Sequence, residues 1–140
     1  MGMAGPAGDQ VVTHEQILSL RIDESLYFAN ASFIEDRLYE LLADRPQVKH
    51  VILMCTAVNE IDLSALETLE SINQRLGDSD ICFHLSEVKG PVMDTLKKTH
   101  FLNQLSGKVW LTQHQAMTSI VESPGDTTQT DAASNVVSLK

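Results

Sequence analysis

Cysteine, positive charge and long apolar runs are all scarce in this chain of 140 residues. The two cysteines, Cys55 and Cys82, lie far apart inside apolar, strand-like runs and have no accompanying histidine pattern. That excludes a disulfide framework and a zinc site, and leaves buried, reduced thiols of the kind found in the cytosol. No apolar stretch approaches the roughly 20 residues needed to cross a bilayer, so this stretch does not insert into a membrane by itself. Nor does a charged-then-apolar leader open it. Lys and Arg number 10 against 19 Asp and Glu, a net charge of −9. Nucleic acid and anionic membrane surfaces both demand a basic footprint, and are disfavoured as direct partners.

Catalytic signatures are missing too. There is no GxxxxGK[ST], no GxGxxG after a strand, no GxSxG and no HExxH. The five histidines, His14, His50, His84, His100 and His114, are scattered singly, and each reads as a surface or strand-edge residue rather than a metal ligand. No metal, no cofactor and no catalytic residue is expected, and the chain reads as a non-enzyme.

What is present is an alternation of strand and helix signals. Residues 16–23 (QILSLRID) alternate apolar and polar as a half-exposed strand. Leu26, Tyr27 and Phe28 suggest a second short strand pairing back as a hairpin. Asn30 or Ser32 can cap a helix striped by Phe33, Ile34, Leu38, Leu41 and Leu42 and stopped by Pro46. His50 to Cys55 is an apolar run suited to a strand covered on both faces. Residues 81–85 form a further strand, and Pro91 opens another helix. Residues 101–105 are a connector, 108–111 a last short strand and 112–121 a terminal helix. The order predicts an α/β or α+β fold. Its sheet has about five strands, mixed but with a mostly parallel core, and about four helices pack on it. Residues 1–15 read as a flexible or added lead-in, 16–121 as one domain, and 122–140, rich in Ser, Thr, Asp and Gly, as a disordered tail.

The candidate site is the polar turn after the central strand. Asn59, Glu60 and Asp62 sit at a strand's carboxyl end, where α/β sheets present their sites. Ser64 opens an amphipathic helix whose wet face carries Ser64, Glu67, Ser71 and Gln74. Ser64 with Glu67 fits a capping box. The cap is the first reading; alternatively, a serine at a helix start is well placed to carry or bind a phosphate. Asp62 can bond loop amides.

Three stretches, LYFANASFIEDRL (26–38), VILMCTAVNEIDLSALETL (51–69) and VKGPVMDTLKKTHFLNQL (88–105), together resemble the STAS domain, named for sulfate transporters and anti-sigma factor antagonists. The first stretch is similar to the opening seen in SulP-type anion transporters. That resemblance implies a regulatory or protein-interaction domain on the cytoplasmic side of the plasma (inner) membrane, within a protein that moves sulfate or a related small anion. It implies the parent's transmembrane domain as partner, with a cytosolic regulatory protein and homodimerisation through the parent as further options. In the antagonist branch the loop reads Asp-Ser-Ser-Gly-Leu, with its second serine phosphorylated. That position falls on Ser64, with Asp62 and Leu66 matching and Leu63 and Ala65 departing. A phosphoswitch at Ser64 and a nucleotide-binding role at the same helix start are the alternatives.

Overall fold

In β1 (Ile17–Ile22) the side chains alternate between two faces, yet all except Arg21 are buried. Both faces of this strand are therefore covered, as happens when helices lie on each side of a parallel sheet. A computed structural model of the chain describes residues 15–122 and 136–139. After β1 come α1 (Phe28–Ala43), β2 (His50–Met54), α2 (Leu63–Asp78), β3 (Cys82–Ser86) and α3 (Gly90–Lys97). The short α4 (Phe101–Gln104), β4 (Val109–Trp110), α5 (Gln113–Glu122) and β5 (Val136–Leu139) complete the order. The sheet runs β4-β3-β2-β1-β5 with every pair parallel.

One sheet face presents Leu18, Leu20, Ile22, Val51, Leu53, Phe83 and Leu85 to the main core, where α1 and α2 pack on each other and supply Ile34, Leu38, Leu66, Leu69 and Ile72. The opposite face places Ile17 and Ile52 against Ala116, Met117 and Ile120 of α5. A buried polar knot holds α5 there. Gln113 donates from Nε2 to Ser19 Oγ at 2.9 Å and accepts from Ser86 Oγ at 2.6 Å, while its amide donates to Glu87 Oε2 at 2.7 Å. Ser19 and Ser86 are fully buried, so each hydroxyl needs such a partner.

Four sequence expectations need correction. Leu26, Tyr27 and Phe28 form no hairpin strand: Leu26 makes a single parallel bridge to Ile61, and Phe28 already begins α1. Without that hairpin the sheet has no antiparallel member among the described residues, so it is parallel rather than mixed, while the expected α/β architecture stands, with five strands and five helices where about five and about four were expected. The segment expected to stay disordered contributes β5, which pairs with β1 from Ser19↔Val136 to Ile22↔Leu139. Four residues with two adjacent valines suffice once β1 offers an open edge of backbone donors and acceptors. Finally, the helix start is Tyr27, whose amide donates to Asn30 Oδ1 at 2.7 Å, so Asn30 caps from inside the first turn rather than opening it. The lead-in expected at 1–15 lies, except for Glu15, outside the described residues.

Candidate functional site

The turn between β2 and α2 is held by its neighbours. Ser25 Oγ accepts from the amides of Asn59 and Glu60, both at 3.1 Å. Leu26 donates to the Glu60 carbonyl at 2.9 Å and accepts from the Asp62 amide at 3.1 Å. Ser25 is in turn fixed by Asn30, whose Nδ2 donates to the Ser25 carbonyl at 2.6 Å. The loop is thus stitched to the segment entering α1, and its polar side chains face outward from a rigid frame.

The expected site residues divide into two groups. Asn59, Glu60 and Asp62 are exposed on the loop itself. Asn59 Oδ1 accepts from Lys89 Nζ at 2.6 Å, and the Glu60 carboxylate accepts from the Tyr27 hydroxyl. That bond to Glu60 is the main reason the Tyr27 pKa is raised, because losing the phenol proton would place two anions in contact. Ser64, Glu67 and Ser71 lie on the exposed stripe of α2, three and four residues apart. The two groups meet at the helix start.

Ser64 is not the cap. Asp62 is, accepting from the Ala65 amide at 2.7 Å, and Ser64 falls at the second helical position with its side chain exposed. An aspartate beats a serine here because its charge also complements the positive end of the helix. Asp62→Ala is expected to lower stability by about 1 kcal/mol, whereas Ser64→Ala should stay within about 0.5 kcal/mol. Urea unfolding of the two variants checks this, and equal losses would return the capping role to Ser64.

Several contributors carry no signal in the sequence. Ser25, Tyr27 and Lys89 reach the loop from 30 or more residues away, as the bonds Ser25–Asn59, Tyr27–Glu60 and Lys89–Asn59 record, and nothing in the local pattern marks them. Phe28 and Leu63 are 63% and 67% exposed, although their apolar character suggests packing. Two of the histidines also depart from expectation. His84 is buried, and its Nδ1 accepts from the Trp110 indole and from the Lys108 amide, both at 3.1 Å. With that nitrogen accepting, the ring proton sits on Nε2 and donates to His50 Nδ1 at 3.1 Å. His50 and His84 are therefore a pair at neighbouring strand positions, not isolated edge residues. Burial pushes the His84 pKa down to about 4, with the neighbouring His50 and Lys108 adding to the shift, and burial also lowers His50. Cys55, fully enclosed, has its thiol pushed up to about 12, so it stays an inert apolar filler.

Among the described residues no group of three or more His, Cys, Asp or Glu could hold a metal ion, and no helix is long and apolar enough to cross a membrane.

Comparison with known proteins gives a consistent picture. The STAS domain family matches residues 10–116. Sulfate transporter 4.1 of Arabidopsis thaliana, a chloroplastic protein, is 33% identical over 111 residues, covering 72% of this chain and 16% of the transporter. The STAS domain of a SulP transporter from Vibrio cholerae superposes with a TM-score of 0.64 at 18% identity, over 79% of this chain and 84% of that one. A Thermotoga maritima structure described as an anti-sigma factor antagonist superposes at 0.60 and 20% identity, over 71% and 85%. The chain spans 16–18% of the length of the curated transporters it matches.

Proposed function

Since this chain belongs to the STAS domain family, we propose that it serves as the regulatory, protein-interaction domain of a SulP-type transporter of sulfate or a related small anion. It would sit on the cytoplasmic side of the membrane, with the transporter's own membrane domain as its first partner. It would act by docking, without catalysis of its own. The observation that carries this reading is the loop from Asn59 to Asp62. Its backbone is fastened by Ser25 and Leu26 while its carboxylates and the Ser64–Glu67–Ser71 stripe stay exposed. A surface whose backbone is fixed and whose polar side chains are already held, Asn59 by Lys89, Glu60 by Tyr27 and Asp62 at the Ala65 amide, loses little entropy on binding, which suits recognition. The sulfate transporter relatives supply the context.

The test is uptake of labelled sulfate by the parent protein in its native reading frame. Glu60→Lys, with membrane abundance held equal, is expected to change uptake about fivefold or more, the low end of a coupling between two sites. Unchanged uptake would remove the loop from any regulatory role.

A second reading draws on the exposed hydroxyl of Ser64 at the second position of α2. A phosphoryl group there would put a dianion beside Asp62 and Glu67 and repel an acidic partner, as in a phosphoswitched antagonist. Mass spectrometry of the protein from its native cell separates the two: phosphate on Ser64 favours the switch. A nucleotide at the same place would meet the repulsion of Glu60, Asp62 and Glu67.

A further inference from the structure

Two helices begin side by side at the loop, and each begins with a large apolar side chain turned to solvent. Leu26 and Ile61 pair in parallel, with the Leu26 amide on the Glu60 carbonyl and the Asp62 amide on the Leu26 carbonyl. Two residues further along each strand of this bridge a helix starts, α1 at Phe28 and α2 at Leu63. Helical side chains lean toward the N-terminus of their own helix. A first-position residue has no earlier turn to lie on, so Phe28 and Leu63 overhang the helix ends, 63% and 67% exposed. Tyr27, 45% exposed, stands beside them with its hydroxyl on Glu60. The fold gains nothing from the side chains of Phe28 and Leu63 in water.

Three carboxylates border this ridge. Glu60 touches Tyr27, Asp62 precedes Leu63, and Glu67 lies one turn along α2 from Leu63 on the same face. The cation bonded into the loop, Lys89, has its ammonium on Asn59 Oδ1. An apolar centre with a charged rim is the layout of a protein docking site, and an acidic rim selects a cationic partner.

We propose that the Tyr27–Phe28–Leu63 ridge with its Glu60, Asp62 and Glu67 rim docks a basic segment of protein in which lysines or arginines flank apolar side chains. This partner chemistry rests on reading the loop as a recognition surface, and extends that surface from α2 onto the start of α1. The apolar side chains of the segment cover the ridge, and its cations pair with the rim.

The probe is a synthetic amphipathic peptide of lysine and leucine, titrated into the full 140-residue chain labelled with nitrogen-15, beside a lysine and serine peptide of equal charge. The Lys/Leu peptide should shift the amides of Tyr27, Phe28, Glu60 and Leu63, and raising the salt should weaken it. Phe28→Ser with Leu63→Ser should weaken binding about tenfold, as truncation of anchor residues does. Glu60→Gln with Glu67→Gln should weaken it severalfold. Asp36→Asn with Asp94→Asn, which removes as much charge from exposed positions on α1 and α3, should change it less than about twofold. Equal weakening by that control, or equal binding of the Lys/Ser peptide, would overturn the proposal as mere attraction to a chain of net charge −9. If Glu60→Lys alters sulfate uptake while the Lys/Leu peptide passes over the ridge, the regulatory surface stands and its partner is not a basic segment. If the peptide takes the ridge while uptake is indifferent to Glu60, the docking site stands and the loop's role in regulating transport falls.

Discussion

Replacing Gly107 with alanine is expected to cost about 3 kcal/mol of unfolding free energy, enough to remove a large part of the stability of a domain this size. The chain at Gly107 runs close alongside β3 as it enters β4, its amide donating to the Phe83 carbonyl at 2.9 Å. A Cβ there would lie 2.4 Å from that carbonyl oxygen and 2.4 Å from His84 Nδ1. Neither neighbour can yield cheaply. The carbonyl belongs to a buried strand, and the imidazole is held by Trp110, Lys108 and His50. Relief requires lifting the 106–108 segment, which would also loosen Ser106, the partner of the Phe83 amide and of buried Asn73. Overpacking of a core contact by one methyl ordinarily costs about 1–3 kcal/mol, and a clash with backbone belongs at the top of that range. Urea unfolding of Gly107→Ala against the parent chain decides it. A loss under about 1 kcal/mol, the size of an ordinary surface change, would mean that the segment is not pressed against β3. Gly77 and Gly90, where an added Cβ meets nothing within 4 Å, make the comparison: alanine there should cost far less.

Acidification should weaken the fold through His84. Its folded pKa is near 4 against 6.5 when unfolded. Above pH 6.5 the ring is neutral in both states and the fold carries no charging penalty. Between pH 6.5 and about 4 the unfolded chain takes up a proton that the native ring refuses, so stability falls steadily through that window. The gap between the two values corresponds to about 3 kcal/mol. Structurally, a proton on Nδ1 would meet the two N–H groups of Trp110 and Lys108 that now point at that atom. His50 offers no alternative, because its Nδ1 already accepts from His84 and burial lowers its own pKa. Carboxylates contribute to acid unfolding as well, so the measurement is a difference. His84→Asn keeps a short polar side chain that can accept in place of Nδ1 but does not titrate. Urea midpoints from about pH 7 to about pH 4 should fall more steeply for the parent chain than for this variant, and parallel curves would show that His84 is not the acid-sensitive group.

Part of the site is legible in the residues alone. The run from His50 to Cys55 followed by NEID and an amphipathic helix identifies a strand, a turn and a helix, because burial on both strand faces and on one helix stripe leaves a periodic trace in the sequence. The same trace locates Ser64, Glu67 and Ser71 on one exposed face. The cap is not legible in this way, since Asp62 and Ser64 both suit a helix start and only the position of the first turn chooses between them. The segment LYF is ambiguous for a similar reason: three apolar residues fit a strand or a helix entry equally well. Its conformation depends on a bridge from Leu26 to Ile61, on the far side of α1 and β2 in the chain.

The α/β alternation, the central strand, the wet face of α2 and the family resemblance are all written in the residues, carried by local periodicity and short motifs. Packing in three dimensions settles which side chains meet across the chain: Ser25 under the loop, Tyr27 on Glu60, Lys89 on Asn59, and His84 between His50 and Trp110. It also settles that Val136–Leu139 closes the β1 edge and that Phe28 and Leu63 stand in water. The difference is one of range. Propensity and periodicity act over a helical turn or a strand repeat, whereas a hydrogen bond or a covered face depends on where distant segments are brought, and a sequence window of a few turns carries no record of that.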